Sequence, residues 1–341
     1  MQNHKALWQS AAALGVYLSQ SPDEEFEAVC QKCFTHNGFF EPQYVRKAIR
    51  AIGSMLKEEH LAEAMQRYNF STSSPKKVGL VLASNIPAVG FHDVLATILM
   101  GHKAYIKPGS GDDVLIFFLL EKWASLYAEV EKRYQKVDLL KDAEAYIATG
   151  SDNAAMHFRY YFGKKPHIIR GNRTSVAILD GTETKEQLSA LGEDVFSYFG
   201  MGCRNVTQLL LPKNYDLSLT ASAWAQYAFV LQNHKYANNY QYQKTLAALN
   251  GHLLLDGAFY LLKPGDALFA PISVINYFEY STNDEILSWL KTRADKIQCV
   301  VSKPIPNLKT IDFGQTQLPS LTDFADGVDT FAFLQKLHQT L

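Results

Sequence analysis

From Lys77 onward the sequence alternates short β-rich runs with helical runs, and this alternation restricts the fold more than any other feature. KVGLVLAS, KAYIKP, AYIATG and PHIIRG read as strands. AVGFHDVLATILMG, DDVLIFFLLEKWASLYAEVEKRY and SDNAAMHFRYYF read as the helices between them, the second as one long helix. Gly101 closes the first of these helices and Pro108 stops the second strand, both acting as local punctuation. Helices of this length between strands imply right-handed crossovers and a parallel sheet. A second α/β unit is expected after Gly171. TSVAIL and VTQLLLP flank the helix KEQLSALGEDVFSYF, and two more helices run through LSLTASAWAQYAFVLQ and NNYQYQKTLAALNG. The β-rich HLLLDGAFYLL and DALFAPISVINYF then precede the helix NDEILSWLKTRADK and the strand IQCVVS. Ahead of the polar STSSPKK break the chain reads as helices. The expected organisation is a helical N-terminus and first domain over 1–171, a second domain over 172–303, and a C-terminal segment, 304–341, that returns to the first.

A chain of 341 residues is long enough for two domains, because single cores stop growing near ~250–300 residues. The formal net charge of −1 argues against a nucleic-acid partner, which calls for a basic excess or stripe. No run approaches the ~18–20 apolar residues of a membrane span, and the N-terminus MQNHKALWQSAAALGVYLSQ lacks the continuous apolar core of a secretory signal. Four scattered cysteines, Cys30, Cys33, Cys203 and Cys299, do not make a disulfide framework. A reduced, cytoplasmic protein is expected.

Few residues carry chemistry. Neither G-x-G-x-x-G after the first strand nor G-x-x-x-x-G-K-[ST] occurs. In YFGMGCRNVTQLLLP, Cys203 follows a Gly-x-Gly turn and precedes an apolar strand, so it is either a nucleophile or a packed core residue. The C-x-x-C of CQKC sits inside a helix with no second cysteine pair to complete four zinc ligands, which favours two helical core cysteines. His92 and His157 fall on helices; His167, on a strand, is the one histidine that invites a functional reading. ATGS places Ser151 as N-cap of the next helix, where exposed amides can meet a phosphate. In ASNIPAVG, Ser84 and Asn85 follow the first strand, at the mouth of the sheet where such folds bind ligands. The aromatic YANNYQYQ segment reads as a packing or subunit-contact surface.

LASNIPAVGFHDVLATILMGHKAYIKPGSGD, IATGSDNAAMHF, RGNRTSVAIL, FGMGCRNVTQLLLP and ALFAPISVINYFEYSTNDEILSWL, in that order, together resemble the aldehyde dehydrogenase superfamily. The branch they are most similar to is that of the acyl-CoA reductases of the LuxC type, which supply fatty aldehyde in bacterial bioluminescence. The resemblance runs over roughly residues 77–303. It implies that Cys203 is the nucleophile and that the Asn85 amide joins the backbone N–H of Cys203 in an oxyanion hole. It further implies that Lys107 binds the cofactor's adenosine ribose, and that Thr149, Gly150 and Ser151 border its phosphates, with Ser84 beside them. The family binds its nicotinamide cofactor through a modified βαβ crossing, which accounts for the missing glycine fingerprint.

The departures from the family pattern set the chemistry expected. Hydrolytic members carry a glutamate base that activates water; here Ile169 holds that position, 34 residues before Cys203. Without a base an acyl-cysteine thioester persists until a thiol or hydride attacks it. Ala267 replaces a second acid near the ribose, with Asp266 adjacent but out of register. Ser110 stands where NAD-preferring members often carry glutamate, leaving room for a 2′-phosphate and favouring NADPH over NADH. The expectation is an NADPH-dependent acyl-CoA reductase that forms an acyl-cysteine and releases an aldehyde, with fatty acyl-CoA as substrate, His167 as proton carrier, and a homo-oligomeric assembly. The resemblance also allows an acyl-transferring protein partner. The alternatives are a reductase of another activated acyl group, such as an acyl phosphate, or a non-catalytic scaffold of the same fold.

Overall fold

The computed structural model describes residues 2–68, 74–109, 111–251 and 254–338. The chain forms two compact units, Met1–Asn172 with Leu318–Leu341, and Arg173–Gln317.

The first unit opens with four helices, α1 (Gln2–Gln20), α2 (Glu27–His36), α3 (Pro42–Met55) and α4 (Glu58–Arg67). It continues through β1 (Lys77–Val81), α5 (Phe91–Leu99), β2 (Lys103–Lys107), α6 (Asp113–Leu126), β3 (Tyr134–Lys136), β4 (Ala145–Thr149), α7 (Asp152–Phe162) and β5 (His167–Arg170). The five strands pair in parallel in the order β3-β2-β1-β4-β5. β1 is central, and Val78 and Leu80 on one face and Gly79 on the other are all buried, as a strand covered on both faces must be. α1, α5 and α6 supply Leu7, Trp8, Leu14, Val94, Leu95, Ile98, Leu119 and Trp123 to the same core. The buried indoles are satisfied: Trp8 donates to the Leu99 carbonyl (3.3 Å) and Trp123 to the Ser10 hydroxyl (2.8 Å).

The single long helix expected over 112–134 stops at Leu126. Tyr127 is extended (φ −153°) and a short 3₁₀ segment, Ala128–Arg133, follows. Tyr134–Lys136 then pairs with Ala104–Ile106. Edge pairing to β2 outweighs a local pattern that reads equally well as helix.

The second unit contains β6 (Thr174–Ile178), α8 (Lys185–Phe196), β7 (Val206–Pro212), α9 (Ser218–Trp224), α10 (His234–Leu249), β8 (Leu255–Asp256), β9 (Leu261–Pro264), β10 (Val274–Tyr280), α11 (Asn283–Lys291) and β11 (Ile297–Val301). Its sheet has the order β11-β6-β7-β10-β9-β8, parallel except for the β8–β9 hairpin. LSLTASAWAQYAFVLQ divides into α9 and a 3₁₀ turn, Ala225–Gln232. A capping box starts α8, the Thr184 hydroxyl accepting from the Gln187 N–H while the Gln187 side chain takes that of Thr184. In the YANNYQYQ segment Tyr236 and Tyr240 are buried and bond to the Phe259 carbonyl and the Asp256 carboxylate; Tyr242 is the exposed one. The C-terminal helix α12 (Thr330–Lys336) belongs to the first unit. Among the described residues no helix is long and apolar enough to cross a membrane.

Candidate active site

In the first unit the chain runs β1 to β2 to β3 on one side of the sheet, then crosses to β4 and β5 on the other. The strand order therefore reverses between β1 and β4, which makes the crevice outside their carboxyl ends the expected ligand position. Ser84 and Asn85 lie in the loop after β1, Lys107 ends β2, Thr149 ends β4, and Gly150 and Ser151 follow it. Asn85, Lys107 and Ser151 are exposed there.

Local chemistry sets these loops. The Leu82 N–H donates to the Lys107 carbonyl (3.1 Å), joining the β1 and β2 ends. Gly109 passes so close that a Cβ would stand 2.6 Å from the Ser84 hydroxyl oxygen and 2.9 Å from the Leu82 carbonyl, so only glycine fits. Ser110 lies outside the described residues. Asp112, 1% exposed, accepts from the Ala88 N–H (3.1 Å), holding a non-glycine residue at φ 54°. Burial pushes its carboxyl well above the usual range. Ser151 caps α7, its hydroxyl accepting from the Ala154 N–H (3.2 Å).

His167 is not with this group. It begins β5 opposite Tyr146, whereas Thr149 pairs with Arg170, so three residues at ~3.3 Å each separate it from the carboxyl edge. The ring is exposed and its Nδ1 stands 2.8 Å from the Lys165 carbonyl oxygen. A parallel strand carries its first residue at the amino edge, so within this unit His167 lies at the end opposite Thr149, Gly150 and Ser151. Three nearby basic residues are engaged as well. Lys165 donates to the Ala143 carbonyl, Arg170 is buried against Asp93, and Arg173 donates to the Ile297 carbonyl (3.0 Å). His92 sits within hydrogen-bond distance of the Leu321 carbonyl (2.9 Å). Cys30 and Cys33 are fully buried, and burial pushes their thiols up to about 11 and about 12, which makes them inert packing residues.

The second unit carries Cys203. After α8 ends at Phe196, Tyr198 (φ 52°), Phe199 (φ 59°) and Gly200 (φ 75°) all adopt left-handed backbone. Two bulky residues in that region cost roughly 1–3 kcal/mol each, so the surroundings must hold them. They do: Tyr198 and Phe199 are 4% and 1% exposed, and the Phe199 ring packs at 5.7 Å from that of Tyr236. The chain then makes a tight turn, the Asn205 N–H donating to the Gly202 carbonyl (3.0 Å). Cys203 is half-buried on this turn. The Ser175 hydroxyl donates to the Cys203 carbonyl (3.1 Å), and the Ser175 N–H and Thr174 hydroxyl donate to the Asn205 carbonyl (3.0 and 3.1 Å). The amino end of β6 thus holds the turn through the carbonyls of Cys203 and Asn205. Ser175 and Asn205 were invisible as site residues in the sequence, since their only signal is nearness to a strand start.

Behind the turn lies a small cleft lined by Phe199, Gly200, Thr207, Tyr236 and Ser273. The 265–269 loop beside it is tied down by its carbonyls: Gln208 donates to that of Gly265 (3.3 Å), Thr207 to that of Leu268 (2.9 Å), and Asn276 to those of Ala267 (2.6 Å) and Phe269 (3.2 Å). Asp266 turns outward to an ion pair with Arg293 (2.8 Å).

No protein-family model matches this sequence, and no curated protein does. Solved structures match over nearly the whole chain. Aldehyde dehydrogenase 21 from Physcomitrella patens has a TM-score of 0.60 at 13% identity, covering 98% of this chain and 88% of its own. The fold is that of the aldehyde dehydrogenases. An NAD-dependent aldehyde dehydrogenase from Sinorhizobium meliloti matches with a TM-score of 0.61 at 12% identity, over 93% of this chain and 71% of its own. Aldehyde dehydrogenase C from Pseudomonas syringae, solved with NAD+ and octanal, gives 0.54 at 15% identity over 89% and 77%. At these identities the aldehyde dehydrogenase likeness is one of fold.

Proposed function

We propose that this protein is an NADPH-dependent acyl-CoA reductase that passes the acyl group through Cys203 and releases an aldehyde, with fatty acyl chains as the substrate class. The observation that carries the reading is the Cys203 turn: a half-buried thiol on backbone held by buried left-handed residues and by Ser175, on an aldehyde dehydrogenase fold. The NAD+ bound by the Pseudomonas syringae enzyme supports a nicotinamide cofactor here. The first unit's own residues fit such a group: Ser84, Lys107, Thr149, Gly150 and Ser151 share the carboxyl edge at the reversal of strand order, and the capped N-terminus of the eleven-residue α7 favours phosphate. When bound, the reduced nicotinamide supplies the hydride that takes the acyl carbon to the aldehyde level.

Cys203 does the covalent chemistry. Its thiolate attacks the thioester carbonyl, a carbon–sulfur bond to Cys203 forms, the bond to CoA breaks, and CoA leaves as the thiol after taking up a proton. Thiol–thioester exchange is near-isoenergetic, so the protein's contribution is positioning and thiolate supply. Asn85 is the proposed side-chain donor to the developing oxyanion, a role worth about 10²–10³ in rate. Ile169, at the position of the hydrolytic base, takes no proton, which leaves the acyl-cysteine to reduction rather than to water. Steady-state aldehyde production from an acyl-CoA series, with NADPH and with NADH, tests the reading. Activity lost in Cys203→Ala and reduced at least a hundredfold in Asn85→Ala is expected; turnover that survives Cys203→Ala would overturn it.

A further inference from the structure

Asn205 is 0% exposed and its side chain is saturated by backbone. Its Oδ1 accepts from the Gly202 N–H (2.8 Å). Its Nδ2 donates to the Ser197 carbonyl (2.9 Å) and the Asp194 carbonyl (3.0 Å), with a longer contact to that of Val195 (3.4 Å). One amide therefore closes the last turn of α8, whose carbonyls have no helical partner, and reaches across the Tyr198–Gly200 left-handed run to the turn that carries Cys203. Its own backbone completes the grip through the Gly202 carbonyl, the Ser175 N–H and the Thr174 hydroxyl. Asp194, whose carbonyl Asn205 takes, accepts from the Gly314 and Thr316 N–H groups and the Thr316 hydroxyl. The anchor is thus fixed from a second segment of the same unit.

An asparagine suits this position because it alone, at this length, offers two donors and an acceptor in one plane. Alanine removes the hydrogen bonds that Asn205 makes to the Gly202 N–H and to the Asp194 and Ser197 carbonyls in a buried setting, where each lost bond is costly. With the tie cut, the left-handed Tyr198–Gly200 run loses its link between the end of α8 and the thiol turn. The turn two residues away would then lose its fixed orientation, and with it the thiol.

We propose that Asn205 is a positioning residue for Cys203, holding the thiol turn in register against the end of α8. The proposal rests on the functional reading only in taking Cys203 as the reacting group. The test measures Cys203 alkylation by iodoacetamide, read by peptide mass, in wild type, Asn205→Ala and Ile286→Ala. Ile286, 4% exposed, packs in the core around β6 and α11 and does not touch the thiol turn, so it controls for lost stability alone. Well below every melting temperature, alkylation at least tenfold slower in Asn205→Ala, with Ile286→Ala within twofold of wild type, is expected. Where acyl-CoA turnover is present, kcat falls with KM little changed. Equal rates in all three proteins, or equal slowing in both variants, would overturn the proposal. Should Asn205→Ala not yield folded protein, the isosteric Asn205→Asp, which removes both donors, carries the same comparison. If no acyl-CoA acylates wild-type Cys203, the functional reading falls while the alkylation rates still decide the role of Asn205.

Discussion

Removing the carboxylate of Asp93 is expected to destabilise the first unit severely. Arg170, at the carboxyl end of β5, is 3% exposed; its Nη1 lies 2.6 Å from Asp93 Oδ2 and its Nη2 donates to the Thr330 hydroxyl (2.9 Å). Its Nε has no hydrogen-bond partner, so the guanidinium depends on Asp93 for its charge balance. Asp93→Ala leaves that charge buried with one neutral acceptor, a loss of about 3–5 kcal/mol. For a unit of about 200 residues each kcal/mol moves the melting temperature by roughly 2–4 °C, so a fall of about 6–20 °C follows. Removing both charges is different: Asp93→Leu with Arg170→Met exchanges a desolvated pair for apolar volume and is expected to cost far less than the single change. The pH dependence has a defined sign. Burial alone would raise the Asp93 carboxyl, but Arg170 and His92 outweigh it and hold it below the usual range. A carboxyl depressed on folding stabilises above its unfolded value, near ~3.9, and loses that contribution as pH falls through the folded value. Urea and thermal unfolding followed by circular dichroism measure all three proteins. A loss under ~1 kcal/mol in Asp93→Ala, or a double variant as damaged as the single, would refute the buried-charge reasoning.

Three further outcomes are expected. Gly109→Ala forces a Cβ against the Ser84 hydroxyl and the Leu82 carbonyl; overpacking of this kind costs about 1–3 kcal/mol. NADPH titration by fluorescence should then show at least tenfold weaker binding, and unchanged affinity would argue against this edge as the cofactor site. Cys30 and Cys33, with thiols pushed up to about 11 and about 12 by burial, should stay unmodified at pH 8 while Cys203 is alkylated. Their thiolate fraction there is about a thousandth or less, and modification at a comparable rate would contradict their burial. His102, lowered to about 4 mainly by burial, accepts the Lys76 N–H on Nδ1 (3.1 Å), and its Nε2 faces the Leu334 carbonyl (2.9 Å). A base depressed on folding costs stability as pH falls from its unfolded value toward the folded one. About 2 kcal/mol should therefore be lost between pH 7.5 and 5 and be absent in His102→Gln; an identical pH slope in both proteins would refute it.

Much of the α/β architecture was legible because its strands are short, apolar and punctuated. Val78 and Leu80 or Leu209 and Leu210 admit few other environments, and Gly101 and Ser151 mark their helix ends by their own chemistry. What escaped was set by tertiary contact. Nothing in YAEVEKRY announces that Tyr134–Lys136 pairs with β2, and Tyr127 leaves helical backbone with no glycine or proline to signal it. The site divides the same way. Cys203, Lys107 and Ser151 stand out in the sequence because each lies beside a strand end. Asn205 was missed because its role lies in reaching backbone groups that are brought together by left-handed Tyr198 and Phe199, a conformation that sequence does not encourage for bulky residues. For His167 the sequence shows that it is on a strand without showing which edge it occupies.

The central claim, that Cys203 carries the acyl group, is tested most directly by intact mass. Protein is mixed with a medium- or long-chain acyl-CoA, beside Cys203→Ala, and NADPH is then added. The account predicts a single acyl adduct that requires Cys203 and disappears with NADPH as aldehyde forms. No adduct at any chain length, or one that persists in Cys203→Ala, would contradict it.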